Sequence, residues 1–364
     1  MKNKFISSIW DFTKLNKKDT GYASHDLLRW YGKLIPSLVN RIIDLYSKKN
    51  DTVLANFAGS GTVLVEANIM NRHSIGIDSS PLSNLVCKVK TSNYIPDHIK
   101  FLSSVEKYLK KNETKNFLMD EVDKKWYDKI TFRDLMLIKE KINNIENPKE
   151  QNYYLLVLCS CVRLVSRIDS RCINHMVVDK NKKPINVFNL FQKKVVETNN
   201  SIKEFKELSS SLNPLIINGD AKKINEIKNN SVDLIISHPP YLGHIMYSNI
   251  FCLPNKLLGY DYSFVKENDI STTSVKKYMD NMKQVFDEMY RIIKPDKYAC
   301  VIIGDNRKNG NIVPTFSYFI EYASEIGFNL KDIFIWVTSK KAGMNIKRHG
   351  NHIDHNYILI FKKD

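Results

Sequence analysis

No apolar run in the 364-residue chain approaches the roughly 20 residues that a membrane span requires. The amino terminus, MKNKFISSIWDFTKLNKKD, is basic but lacks the continuous apolar stretch and small-residue cleavage site of a secretory signal. A cytoplasmic protein is therefore expected. Cys87, Cys159, Cys161, Cys172, Cys252 and Cys300 form no Cys-x-x-Cys pair, a pattern of reduced, buried thiols and not of a disulfide framework or a zinc site. Negative charge is also scarce. Asp and Glu number 39 against 55 Lys and Arg, a net charge of +16. That excess favours a polyanionic partner, nucleic acid first, although a chain this rich in Lys and Asn owes part of it to composition. Hydrophobic residues make up 43%, which excludes disorder and leaves room for a large core with a second, smaller domain.

What is present alternates. Leu34, Leu38, Ile42 and Leu45 predict a helix over about 34–47. Thr52 to Phe57 reads as a short strand, Ala58-Gly59-Ser60-Gly61-Thr62 as a tight turn, Val63 to Met70 as a helix, and His73 to Asp78 as a second strand. This is the opening of a doubly wound sheet. Between about 95 and 212 the pattern becomes helical, with Phe132, Leu135, Met136, Ile138, Ile142 and Ile145 at helical spacing and an apolar run from Tyr153 to Val165. The most basic stretch of this insertion holds Arg163, Arg167, Arg171, Lys180, Lys182 and Lys183. Alternation resumes with Leu215 to Asp220 and the strand Val232 to Ile236, which runs into Ser237-His238-Pro239-Pro240-Tyr241. A helix over 275–293, a turn at Lys294-Pro295-Asp296, a strand from Tyr298 to Ile303 and a helix over 314–326 follow. Phe334 to Val337 and Tyr357 to Phe361 could close the sheet as an antiparallel pair.

Two places carry chemistry. The Gly59–Gly61 turn ends a strand and opens a helix, where backbone can approach a ligand and free N–H groups face it. It has neither the third glycine of a dinucleotide fingerprint nor the lysine of a phosphate loop. With Asp78 ending the next strand, placed for ribose hydroxyls, it suits a nucleoside cofactor without a pyrophosphate. The second place is the diproline loop. Its prolines make a rigid backbone whose Pro239 carbonyl is free to accept a hydrogen bond, and Tyr241 supplies an aromatic face at the carboxyl edge of the sheet. A rigid acceptor beside a flat ring suits an exocyclic amine on a planar base.

On these residues the chain resembles the S-adenosylmethionine-dependent DNA amino-methyltransferases of the cytosine-N4/adenine-N6 class, found in restriction-modification systems. Phe57 to Thr62 is similar to their cofactor motif, Gly76-Ile77-Asp78 to the ribose-binding motif, Asn218-Gly219-Asp220 to the motif whose acid meets the adenine amine, and Ser237 to Tyr241 to the catalytic loop. Lys33-Leu34-Ile35-Pro36 resembles the segment over the methionine end of the cofactor, and Tyr290 to Pro295 a later helix-to-strand turn. The resemblance covers about 22–94 and 213–364. It implies an α/β, Rossmann-like methyltransferase sheet with a helical insertion: 1–94 and 213–364 form the two halves of the core, and 95–212 is the candidate target-recognition region, with a structural cap as the alternative. It also implies S-adenosylmethionine as cofactor, double-stranded DNA as substrate and a cognate restriction endonuclease as partner. Lys33, Pro36, Asn56, Phe57, Gly59, Gly61, Thr62, Asp78 and Asp220 would bind the cofactor. Ser237, His238, Pro239, Pro240 and Tyr241 would act on a flipped base stacked on Tyr241, and the six basic residues of the insertion would bind DNA.

Two departures matter. Ala55 and Asn56 stand where the family usually has Asp-Pro, so a cofactor contact falls to Asn56 or to the Lys33 segment. His238 stands where it has Asp, Asn or Ser. A neutral imidazole accepts a hydrogen bond from an amine and a protonated one does not; Ser237 or the Pro239 carbonyl is the alternative acceptor. No Pro-Cys dipeptide is present, which argues against cytosine-C5 chemistry, and cytosine N4 is favoured over adenine N6. An RNA guanine-N2 methyltransferase and a non-catalytic DNA-binding protein remain as rivals. Tyr247, Phe251 and Tyr260 suit either a base pocket or the core, and Asp305 and Asn306 either the active site or a turn. His349, His352 and His355, without paired cysteines, read as a turn and not as a metal site.

Overall fold

The computed structural model describes residues 8–172, 175–210, 212–267, 269–308, 311–337 and 355–364. Its strands are β1 (Ile9–Asp11), β2 (Thr52–Ala55), β3 (His73–Asp78), β4 (Leu215–Asn218), β5 (Val232–Ser237), β6 (Ile293–Ile303), β7 (Asn306–Lys308), β8 (Asn311–Val313), β9 (Phe328–Val337) and β10 (His355–Lys363). Eight of them make one sheet in the order β1-β9-β10-β6-β5-β2-β3-β4, and β7 and β8 form a separate hairpin. Every pair in the large sheet is parallel except those of β10, which runs antiparallel to both β6 and β9. Strand order reverses between β2 and β5, and a crevice opens at that point beyond their carboxyl ends. This is the expected Rossmann-like α/β sheet, and the β9–β10 antiparallel pair closes it.

Burial explains the strand signals. All six residues of β5 are buried, because helices cover both faces. Helix Val275–Ile292 lays Tyr278, Met282, Phe286 and Met289 on one face, and helices Pro36–Tyr46 and Thr62–Ile69 lay Leu38, Ile42 and Leu64 on the other. The insertion forms helices His98–Lys111, Lys129–Asn143, Pro148–Val165 and Val187–Leu208, with a short helix at Glu121–Trp126. Its apolar stripes pack as one cluster with Leu82, Leu85 and Val86 of helix Pro81–Lys90 and with Ile250, Phe251 and Leu253. The insertion therefore shares its core with a helix of the sheet domain and with the segment that follows the diproline loop.

Two expectations change. Strand β6 begins at Ile293 and takes in the Lys294-Pro295-Asp296 turn. The turn survives as an irregularity: pairing with β5 shifts register between Val232 and Leu234, and Asp296 has φ +61°. Strand β1 was not expected, since three residues show no periodicity. It adds in parallel to β9, and Trp10 is fully buried, stacked on Phe334 at 4.6 Å.

Candidate active site

The turn after β2 is built by two glycines in the left-handed region. Gly59 has φ +49° and Gly61, the N-cap of helix Thr62–Ile69, has φ +74°. Side chains at either would be strained, and one at Gly61 would also press on Cys87 Sγ at 3.2 Å. Asp78 at the end of β3 holds this turn in place. One carboxylate oxygen accepts from Gly59 N at 2.7 Å and the other from Ser80 N at 2.9 Å, and burial raises its pKa. Asn84 Nδ2 bridges the Asp78 carbonyl and Asn218 Oδ1, both at 3.0 Å, and so locks the ends of β3 and β4 together.

These ends border one cleft, which Phe57, Gly59, Thr62, Asp78, Asp220 and His238 line together. Lys33, Asn56 and Pro240 line it too. Lys33 arrives from a segment pinned to the helices beneath. Its ammonium pairs with Asp26 and lies 3.4 Å from the His25 carbonyl. His25 Nε2 meets the buried Glu66 at 2.9 Å, and Tyr22 and Asn40 donate to the same carboxylate. Five expected residues stand behind the walls of the cleft: Pro36 at the start of helix Pro36–Tyr46, Gly61, Ser237, Pro239 and Tyr241.

The expected open platform at Tyr241 is not found. The ring is 6% exposed, packed in the core with Leu242 and Tyr278. Its hydroxyl donates to Asn356 Oδ1 of β10 at 2.9 Å, and His238 Nε2 lies 3.3 Å from the Tyr241 hydroxyl oxygen. Because that hydroxyl hydrogen is committed to Asn356, its lone pairs face the imidazole. Nε2 therefore carries the ring hydrogen and Nδ1 keeps a lone pair. Burial lowers the pKa of His238 to about 4, so the ring is neutral near pH 7. That removes the objection to a histidine at this position.

The aromatic faces in the cleft come from elsewhere: Trp30, Phe57, Tyr247 and Phe251, with Trp30 and Phe251 4.4 Å apart. Tyr247 and Phe251 are thus brought to the site, whereas Tyr260 is exposed and stacks on Phe264. Sequence reading also missed Ser248, Asn255 and Asp269, which line the cleft from the segment after the diproline loop. Asp269 accepts from Ser248 N at 2.8 Å. Asn56 and Asn255 are each 1% exposed, and neither carboxamide has a partner for its oxygen or its nitrogen. The position of Asn56 before Phe57 already marked it in the sequence, whereas only its orphaned state marks Asn255, for which sequence spacing carries no signal. Buried amides without partners are costly unless a ligand completes them. With the glycine turn and Asp78, they fit a nucleoside cofactor that bears a polar amino-acid end.

The basic stretch divides. Arg167, Arg171, Lys180 and Lys183 are exposed, with Arg171 paired to Asp169 at 2.7 Å. Arg163 and Lys182 turn inward: Lys182 Nζ donates to the carbonyls of Arg163 and Ile168 at 3.2 and 3.0 Å. Asp305 accepts from the backbone of Thr315 and Phe316, and Asn306 Nδ2 donates to Thr315 Oγ1 at 3.2 Å, so both serve a turn. His349 and His352 lie outside the described residues, and His355 begins β10. Among the described residues no group of acids, histidines and cysteines could hold a metal, and no helix is long and apolar enough to cross a membrane.

Comparison with known proteins agrees with this geometry. The sequence model of a family described as DNA methylase matches residues 1–82 and 232–364, more than half of the chain. The unmatched interval contains the helical insertion. The type II methyltransferase M.MjaII of Methanocaldococcus jannaschii is 24% identical, over 82% of this chain and 75% of its own length. M.BsoBI of Geobacillus stearothermophilus is 23% identical, over 82% of this chain and 66% of its own. A TehB-like SAM-dependent methyltransferase from Corynebacterium glutamicum shares 11% identity, with 90% of this chain and 87% of that one covered, at a TM-score of 0.35. That likeness is too low to support an inference, and the strand order carries the fold unaided.

Proposed function

The chain belongs to the DNA methylase family, and from that premise we propose that it transfers the methyl group of S-adenosylmethionine to an exocyclic base amine at specific sites in double-stranded DNA, protecting them from a cognate restriction endonuclease. The observation that carries this reading is a neutral, oriented His238 in the same cleft as the glycine turn, Asp78 and the two unpartnered carboxamides. Asn56 and Asn255 would hold the polar end of the cofactor, Asp78 its ribose and Asp220 its adenine amine. When bound, the cofactor supplies a methyl group on a sulfonium, an electrophile that needs no metal.

The residues of this chain act on the amine. Its lone pair is delocalised into the base, so it is a poor nucleophile. A hydrogen bond to His238 Nδ1 draws one amine hydrogen out of the ring plane and localises the lone pair. Pro240 narrows the cleft beside it and restricts the approach. Most of the acceleration then comes from holding the amine in line with the methyl group. Inside a duplex the amine cannot reach the cleft, so the base leaves the stack to enter. We favour cytosine N4 over adenine N6, supported by the non-acidic residue that leads the diproline loop.

The test is methyl transfer from labelled S-adenosylmethionine to unmethylated genomic DNA, with mass spectrometry of the nucleosides. N4-methylcytosine is expected. N6-methyladenine would keep the class and change the base. Label in tRNA alone, or in neither nucleic acid, would overturn the reading.

A further inference from the structure

A base drawn out of a duplex loses its stacking neighbours, and an aromatic face in the receiving pocket replaces them. Tyr241 is not that face, because its ring lies in the core and its hydroxyl is bonded to Asn356. Four other rings line the cleft: Trp30, Phe57, Tyr247 and Phe251. Three of them are engaged elsewhere. Phe251 is 5% exposed. Tyr247 is fastened by its hydroxyl to the Tyr31 carbonyl at 3.1 Å. Phe57 opens the glycine turn and packs onto the core cluster that holds Leu54 and Tyr241.

Trp30 is different. It is partly exposed, whereas the other three tryptophans of the chain, Trp10, Trp126 and Trp336, are buried. Its ring centroid lies 4.4 Å from that of Phe251 and 6.4 Å from that of Tyr247, and those two lie 6.2 Å from each other. Rings on opposite faces of the indole would be separated by nearly the sum of the first two distances. Phe251 and Tyr247 therefore back the same side, and the opposite face has neither ring against it. The glycine turn sets one edge of the indole: a Cβ at Gly59 would come within 3.4 Å of Trp30 Nε1. Trp30 also borders a second cavity, with exposed Lys17, Lys18 and Arg29 in its walls. One aromatic ring thus stands between the cofactor turn and a basic space that attracts a polyanion.

Resting on the proposed function, we infer that Trp30, from the segment before the sheet and not from the diproline loop, is the platform on which the extruded target base stacks. His238 lines the same cleft, so a base held on the indole stays in the space where its amine is met. Stacking on an indole does not depend on which base is held; the platform holds the base and leaves its identity to be read by hydrogen bonds.

The experiment compares wild type with Trp30→Leu and Trp30→Phe. Wild type must first methylate DNA, and its site is mapped from the product; if it does not, the reading of the protein fails and not this assignment. Given that activity, a duplex carrying the site, bound with S-adenosylhomocysteine, is expected to quench the tryptophan fluorescence of wild type. A duplex without the site should quench it far less, because no base is extruded. Trp30→Phe should lose the site-dependent quench, since the tryptophans that remain are buried. Trp30→Leu should lower kcat/KM for DNA about tenfold, and Trp30→Phe, which keeps a ring, only about threefold. Affinity for S-adenosylmethionine should stay within about twofold in both by calorimetry, and the salt slope should not change, because no charge is removed. An unchanged kcat/KM in a Trp30→Leu protein that melts like wild type would overturn the inference. So would a full quench by S-adenosylmethionine alone, which would place the indole over the cofactor. If Trp30→Leu does not fold, Trp30→Phe decides: a site-dependent quench that survives in it comes from another tryptophan and overturns the assignment.

Discussion

At the scale of single residues, the chain Asn356–Tyr241–His238 decides whether a histidine can serve where this family usually has an acid, amide or alcohol. His238→Leu is expected to lower kcat about a hundredfold, with unchanged affinity for S-adenosylmethionine. Asn356 is a positioning residue and acts only through Tyr241. In Asn356→Leu the Tyr241 hydroxyl can turn and donate to His238 Nε2, which forces the ring hydrogen onto Nδ1. The expected result is a fall in kcat of about tenfold with KM for DNA unchanged, and recovery in Asn356→Asp, which restores the acceptor. The pH profile follows from burial. With its pKa lowered to about 4, His238 keeps its lone pair down to that region, so kcat should be flat from pH 8 to 5 and fall only near 4. Stability has the same sign: below the ordinary histidine value the unfolded chain takes up the proton first, so stability declines as pH falls from about 6.5 toward 4 and is constant above that window. The orphaned carboxamides give opposite signs in two measurements. Asn56→Leu should raise the melting temperature of the free protein, because an unsatisfied buried amide is removed, and weaken S-adenosylmethionine binding about tenfold by calorimetry. Tighter binding, or a lower melting temperature with unchanged binding, would show that the amide serves the fold and not the ligand.

At the scale of elements, the segment leading to Lys33 is held by buried polar groups and not by apolar periodicity. Glu66 collects Tyr22, His25 and Asn40, and Lys90 Nζ donates to the His25 carbonyl at 2.8 Å. Burial lowers the pKa of Lys90 to about 7. Between that value and the ordinary 10.5 the unfolded chain binds the extra proton, so stability rises with pH across the window. Wild type should therefore gain about 1.4 kcal/mol per pH unit relative to Lys90→Met between pH 7.5 and 8.5, measured by urea melts. Parallel pH curves for the two proteins would show that the amine is not desolvated. Elements with strong local signals were legible in the sequence: β5 as a continuous apolar run, helix Val275–Ile292 by its period, and the glycine turn by composition. Strand β1 was not, because three residues make sense only against β9.

At the scale of the whole molecule, the +16 charge is unevenly used. Arg167, Lys180 and Lys183 face solvent, while an excess of five positive charges lines a second cavity of about 720 Å³ that shares Trp30, Lys33 and Phe251 with the cleft. Methylation of DNA should accordingly weaken steeply with salt, losing about a thousandfold in affinity between 50 and 200 mM if some six phosphates are neutralised, as measured by KM for DNA. Affinity for S-adenosylmethionine should be nearly insensitive to salt. A shallow slope for DNA would mean that the charge reflects composition and not binding. The insertion is joined to both cavities at this scale. Helix Pro148–Val165 shares its core with Phe251 and Leu253, and Phe251 lines both cavities.

The sequence by itself determined the alternating core, the interrupting helices and the residues of the glycine turn and diproline loop, because each is a local pattern of period, turn chemistry or short motif. Only the tertiary structure decided which of those side chains reach the cleft. Tyr241 left it for the core because β10 offered Asn356, 115 residues away. Ser248, Asn255 and Asp269 entered it because the insertion packs behind their segment. Arg163 turned from the surface into a cavity because Tyr31 and the Cys172 carbonyl meet it there. Spacing along a chain specifies which face of an element a residue occupies. What lies opposite that face is set by packing between segments far apart in sequence.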